Sequence, residues 1–227
     1  MEYFLVPLVL LGVVAVIVGS YYLKKKRREA LAAMASQLGL AYSQEDTAGC
    51  LSLPFALLQL GDGRGTENVL SGTWQEMPIR EFDYWYYEES TDSKGHTSRT
   101  TYRFSCVVTE VEAGLSALTL NRENLFTRLA DSLGLADMEF ELDEFNRAFT
   151  VKCKDRKFAN DFIDQRMMHW LLGTDRAFAF ETCGPWLLVY SKRRKPTELV
   201  PLFGTLRQFR DGIPRVVYDL YGLRPSG

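Results

Sequence analysis

IREFDYWYYEE, residues 79–89, places Phe82, Tyr84 and Tyr86 on one parity and Asp83, Trp85 and Tyr87 on the other. Successive side chains of a strand point to opposite faces, so the stretch reads as a strand with two unlike faces. RTTYRFSCVV (99–108) repeats the pattern, with Tyr102, Phe104, Cys106 and Val108 together and Arg103 and Ser105 opposite. The polar STDSKGHTS (90–98), with Gly95, lies between them. Two such runs around a polar loop predict a long antiparallel hairpin with one drier face.

Working outward, TENVLSGTWQ (66–75) predicts another strand, joined to the hairpin by a turn at 76–78. GDGRG (61–65) lacks the Lys-Ser/Thr of a phosphate loop and opens no helix, so it reads as a turn. NRENLFTRLADSLGLA (121–136) predicts a helix with Asn121 as N-cap, a Leu125–Leu129–Leu133 stripe and Gly134 as its close. MEFEL (138–142) and RAFTVKC (147–153) predict strands, with EFELDEF (139–145) a solvated strand edge and turn. A helix follows from Asp155 to Gly173, burying Ile163, Met167 and Trp170. AFAFETCGPWLLVYSK (177–192) predicts a hairpin turning at Gly184–Pro185. From Pro196 to Tyr221 a helical stripe of Leu199, Leu202, Phe203, Leu206 and Phe209 is interrupted at Gly212 and Pro214. Strands and helices are grouped rather than alternating, which predicts an α+β fold: antiparallel sheet with packed helices. ASQLGLA (35–41) and ADSLGLA (130–136) echo one another. An internal duplication and two uses of a common glycine cap both account for the echo.

Ahead of this lies FLVPLVLLGVVAVIVGSYYL, residues 4–23, twenty residues without a charge. At about 1.5 Å per residue such a helix covers the roughly 30 Å of a bilayer core. Lys24, Lys25, Lys26, Arg27 and Arg28 follow at once, and only Glu2 precedes the run as a charged residue. A cleaved signal peptide carries its cations ahead of the apolar stretch, and cations flanking a span stay in the cytoplasm. The expectation is a retained transmembrane anchor (1–23), a basic juxtamembrane segment (24–28), a cytosolic domain (29–222) and a short tail (223–227). The N-terminus would lie outside and the domain inside. EALAAMASQLG, from Glu29, then reads as a short helix closed by Gly39, with Leu31, Met34, Ala35 and Leu38 on one face.

The basic block holds five of the 27 basic residues and Glu2 one of the 29 acidic ones. Residues 29–227 are left with 22 against 28, a net of −6. That balance argues against nucleic acid as a partner. Concentrated cations instead suit anionic lipid headgroups of the bilayer, at about 1 kcal/mol each near the surface. Cys50, Cys106, Cys153 and Cys183 are far apart with no C-x-x-C pair. They read as reduced thiols, neither a zinc site nor a disulfide framework.

LSGTW (70–74), FDYWYYEES (82–90), EFNRAF (144–149), RMMHWLL (166–172) and GPWLLVY (184–190) resemble segments of an uncharacterised family. Its members are bacterial single-pass proteins with a cytosolic domain of unknown function. The resemblance implies an inner-membrane address and brings no reaction, so no catalytic residue is carried over.

No catalytic, cofactor-binding or metal-binding residue is assigned. His96 reads as a loop residue and His169 as the edge of a helix stripe, neither in a catalytic spacing with Ser, Cys or Asp. SKRRKP (191–196) is a second basic cluster, and Lys192, Arg193 and Arg194 join the first block as candidate membrane contacts if both lie on one side. Asp83, Trp85, Tyr87, Glu88 and Glu89, on the outward side of the hairpin, form the candidate ligand or partner surface. The expected function is a non-enzymatic interaction or scaffold module at the membrane, with an unknown protein partner. The alternative is a small-ligand or lipid-headgroup sensor using a pocket beside the aromatic hairpin.

Overall fold

The predicted hairpin is the centre of the sheet. β3 (Met77–Thr91) and β4 (Thr97–Arg122) pair antiparallel from Arg80 opposite Val108 to Thr91 opposite Thr97. The computed structural model describes residues 2–122 and 137–223, with side chains except those of residues 2–11 and 13. β4, 26 residues long, is the spine. β3 occupies one edge of its first half, and β6 (Phe149–Cys153) the same edge at residues 118–122. β7 (Ala179–Lys192) runs along the opposite edge from Phe104 to Leu120. β1 (Ala41–Ser43) and β2 (Gly63–Trp74) extend the sheet beyond β3, and β5 (Asp137–Met138) beyond β6. All these pairings are antiparallel, as the α+β reading requires.

Both faces are covered. Phe82, Tyr84 and Tyr86 join Phe104, Cys106, Val108 and Tyr190 beneath Phe55, Leu57 and Leu58 of the preceding loop. On the other face Ile79, Val107, Leu187 and Val189 pack with Leu31 and Ala35 of α1 (Glu2–Leu38). The same core takes the Leu202, Phe203, Leu206 and Phe209 stripe of α5 (Val200–Asp211). Each such buried side chain contributes about 1.5–3 kcal/mol of hydrophobic transfer. Where both faces are covered, a charge on an inner strand position is buried and needs a partner.

α1 is a single helix of 37 residues rather than a span followed by a separate helix from Glu29. The intervening Lys and Arg are good helix formers and nothing there breaks the backbone. Gly39, at φ +70°, ends it, and the Leu40 amide donates to the Ala35 carbonyl at 2.8 Å. Among the described residues no helix is long and apolar enough to cross a membrane. The side chains of residues 4–11 and 13, part of the apolar run, lie outside that description.

Other boundaries move for identifiable reasons. The β2–β3 turn falls on Gln75 and Glu76, both left-handed at φ +46° and +65°, which suits a two-residue hairpin. Gly63–Gly65 belong to β2, so the turn of GDGRG is confined to its first residues. Asn121 is not a helix cap: it lies in β4, and its Oδ1 accepts from the Tyr190 hydroxyl at 2.9 Å. Residues 123–136, with the leucine stripe and the second LGLA segment, lie outside the described residues. Gly184–Pro185 does not turn the chain. Gly184, at φ +57°, sits where the β4–β7 register shifts, and β4 is long enough to pair with β7 on both sides of that shift. Of MEFEL only Met138 is in a strand. α2 (Asp143–Ala148) forms within the expected edge, and Asn146 pairs its side-chain amide with both backbone groups of Phe140 at 2.7 and 2.9 Å.

The helix expected over 155–173 is two: α3 (Arg156–Phe162) and α4 (Gln165–Gly173). Asp155 caps the first through the Phe158 amide at 3.0 Å, and Asp164 restarts the chain by capping the second through the Met167 amide at 2.7 Å. Asp164→Ala is expected to cost about 1 kcal/mol. A denaturant midpoint measured beside the parent checks it. α6 (Arg215–Tyr221) closes the chain after Gly212 and Pro214, and the Leu223 amide returns to Glu112 of β4 at 3.1 Å.

Candidate functional site

The expected stripe on α1 begins well before Leu31. Ser20, Lys24, Arg27, Arg28, Leu31 and Ala35 recur at three and four residues, so one side of the helix faces the sheet from the end of the apolar run to the core. On β3 the matching side is Glu81, Asp83 and Trp85, opposite the Phe82–Tyr84–Tyr86 side.

Arg27 and Asp83 meet there. Arg27 Nε donates to Asp83 Oδ2 at 2.6 Å and Nη2 to Oδ1 at 2.5 Å, a two-pronged ion pair between side chains 13% and 3% exposed. The third nitrogen, Nη1, donates to the Arg194 carbonyl at 2.6 Å. Asn68 Nδ2 adds a bond to Asp83 at 3.0 Å, and Tyr42 donates to Asn68 Oδ1 at 2.8 Å. Asn68 is itself left-handed, φ +58°, at the bulge of β2, and that conformation aims its amide inward. Burial pulls the Arg27 guanidinium down, but the bonds and charge of Asp83 more than offset this and raise it.

Two further carboxyls are wholly buried. Neither oxygen of Glu81 has a hydrogen-bond partner among the described residues, and burial, then the charge of Asp83, raise it well above the usual range against the pull of Arg27. Glu181 of β7 accepts from the Ala56 and Leu57 amides at 2.7 and 3.1 Å. Burial pushes it up to about 7, while those amides and Tyr190 pull the other way. The thiols are not activated: burial pushes Cys50 up to about 12 and raises Cys106, Cys153 and Cys183. No group of three metal-ligating side chains occurs among the described residues.

Beside the ion pair lies a cavity of about 200 Å³. Lys24, Arg27 and Arg28 enter it from α1, Arg103 from β4, Arg193 from the chain just past β7, and Glu67 from β2. Ser20 and Leu23 of α1 also line it. The two basic clusters of the sequence therefore share one side of the molecule.

The expected candidates divide. Lys24, Lys25, Lys26, Lys192 and Arg193 are exposed, whereas Arg27 is consumed by Asp83. Arg194 pairs with Asp175 at 2.7 Å and lies over the Phe178 ring. Asp83 is not on an outward surface, because α1 covers that part of β3. Trp85 and Tyr87, further along the same side, are half-buried and stack at 6.4 Å. They lie over Gly65 and Gly63, where an added Cβ would come within 2.8 and 2.4 Å of the rings. Arg99 crowns Tyr87 at 3.9 Å and pairs with Glu89 at 2.6 Å. Glu88 is half-buried. The aromatic side is thus largely a cross-strand packing device. Arg103, Glu67, Glu81 and Glu181 were not anticipated. The available signal was acidic residues alternating with hydrophobic ones on strands whose two faces are both covered.

No family model and no curated protein matches the chain. Its fold is similar to the crystal structure of the mycobacterial trehalose monomycolate transport factor A, TtfA. The TM-score is 0.55 at 16% identity, over 82% of this chain and 92% of that one. At that identity the likeness concerns the fold alone.

Proposed function

We propose that the chain is a membrane-anchored, non-enzymatic interaction module. In this reading Phe4–Leu23 spans a bacterial inner membrane with the N-terminus outside, Lys24, Lys25, Lys26 and Arg28 meet the cytosolic headgroups, and residues 29–222 work in the cytosol as one domain. The observation that carries it is the unbroken α1. The helix that begins as an apolar run ends as a core element, with Leu31 and Ala35 buried and Arg27 locked to Asp83. A domain joined in this way is held in one orientation at the bilayer, which suits recognition of a neighbouring membrane protein.

The test is cross-linking of the full chain in native membranes, followed by affinity capture. The expected result is that the chain resists extraction by alkaline carbonate and brings down one reproducible membrane protein. Release by carbonate would overturn the anchor, and a chain captured without a specific partner would overturn the interaction role.

A further inference from the structure

We propose that the cavity between α1 and the sheet binds the phosphate of a single anionic lipid headgroup. The proposal rests on the membrane reading above and deepens it, replacing a diffuse basic surface with one built site.

Helical spacing selects which cations take part. Lys24 and Arg28 lie on the cavity side with Ser20, while Lys25 and Lys26 do not line the cavity. Two arginines complete it from the sheet, held together by the Arg193 amide donating to the Arg103 carbonyl at 2.9 Å. Arg27 is neutralised by Asp83, so Lys24, Arg28, Arg103 and Arg193 face Glu67 as the cavity's one further acid. None of the four makes an ion pair among the described residues, whereas Lys25 pairs with Glu29. Partial burial first, and then Arg27 and Arg103 against the opposing charges of Asp83 and Glu67, push the Arg193 guanidinium down. Guanidinium groups recognise phosphate oxygens with paired donors. Depth decides the source of the phosphate. The lining residues Ser20 and Leu23 belong to the last turn of the apolar run, so the cavity lies where hydrocarbon would give way to headgroups.

The full chain reconstituted in phosphatidylcholine nanodiscs, with and without phosphatidylglycerol, tests this by native mass spectrometry and lipid titration. Failure to insert into the neutral discs would overturn the anchor before any anionic lipid is added. With insertion established, one phosphatidylglycerol retained per chain is expected. Arg103→Gln with Arg193→Gln should weaken its binding about thirtyfold, at about one surface cation's worth for each change. Lys25→Gln with Lys26→Gln removes the same charge outside the cavity and should weaken binding clearly less than the arginine pair does. Equal weakening by both pairs would overturn the site in favour of a diffuse film. So would the absence of any preference for phosphatidylglycerol. Inorganic phosphate binding as tightly as the lipid would overturn the headgroup assignment. Should the glutamine pair melt below the assay temperature, Arg103→Lys with Arg193→Lys keeps the charge and removes the paired donors. A partial loss supports the site, and none overturns it.

Discussion

Arg27→Ala is expected to destabilise the domain by about 3–5 kcal/mol, the cost of removing one partner from a buried ion pair. The loss is large because of what stays behind. Asp83, 3% exposed, would keep only Asn68 as a side-chain donor among the described residues, two positions from the buried Glu81. A typical domain has about 5–15 kcal/mol in all. Arg27→Lys keeps the charge but cannot form the fork, so an intermediate loss is expected. Replacing both partners, as in Arg27→Met with Asp83→Leu, should cost less than Arg27→Ala alone, because no orphan charge remains. Denaturant midpoints of the full chain in detergent read all three. A loss below about 1 kcal/mol for Arg27→Ala would mean the pair behaves as a solvated surface bridge.

Glu181 sets the second large effect, on pH dependence. Its folded value of about 7 lies above the ordinary 4.5, so the stabilising species is the neutral acid. The associated stability is fully present below about 4.5 and is lost as pH rises through about 7. At about 1.4 kcal/mol per pH unit the loss is about 3 kcal/mol. Glu181→Gln stays neutral throughout and can still accept from the Ala56 or Leu57 amide. The stability of the variant relative to the parent should therefore rise by about 3 kcal/mol between pH 4.5 and 7.5. Glu81 contributes with the same sign but is common to both proteins and cancels. A difference that does not change with pH would refute the assignment.

Period-two alternation located β2, β3 and the start of β4, and the period of 3.6 located the α5 stripe, because each pattern is a direct projection of burial. The errors cluster where one residue type serves two structures. Gly184–Pro185 suits a turn and a bulge equally, and only the length of β4 on the neighbouring edge decides between them. Asn121 suits a helix cap and equally a buried acceptor for Tyr190. Asp164 looked like one more helical residue until its cap showed that the helix had already ended. The site was half legible. The basic clusters can be counted in the sequence, but the partner of Arg27 lies 56 residues away. Arg103 carried no signal beyond its parity, since its neighbourhood is made by α1 and the end of β7, which no local pattern brings together.

The unbroken α1 also makes the molecule a shaft with a head fixed to it. A flexible linker would average over orientations, but a continuous helix transmits both twist and height. Every residue of α1 between Leu23 and Leu31 contributes about 100° of azimuth and 1.5 Å of rise. The length of that segment therefore acts as a gauge. In the membrane reading proposed above it sets which flank of the sheet faces a neighbour embedded alongside, and one residue added just after Leu23, ahead of Arg27, would turn the head by more than a quarter of a revolution while leaving the Arg27–Asp83 pair in place.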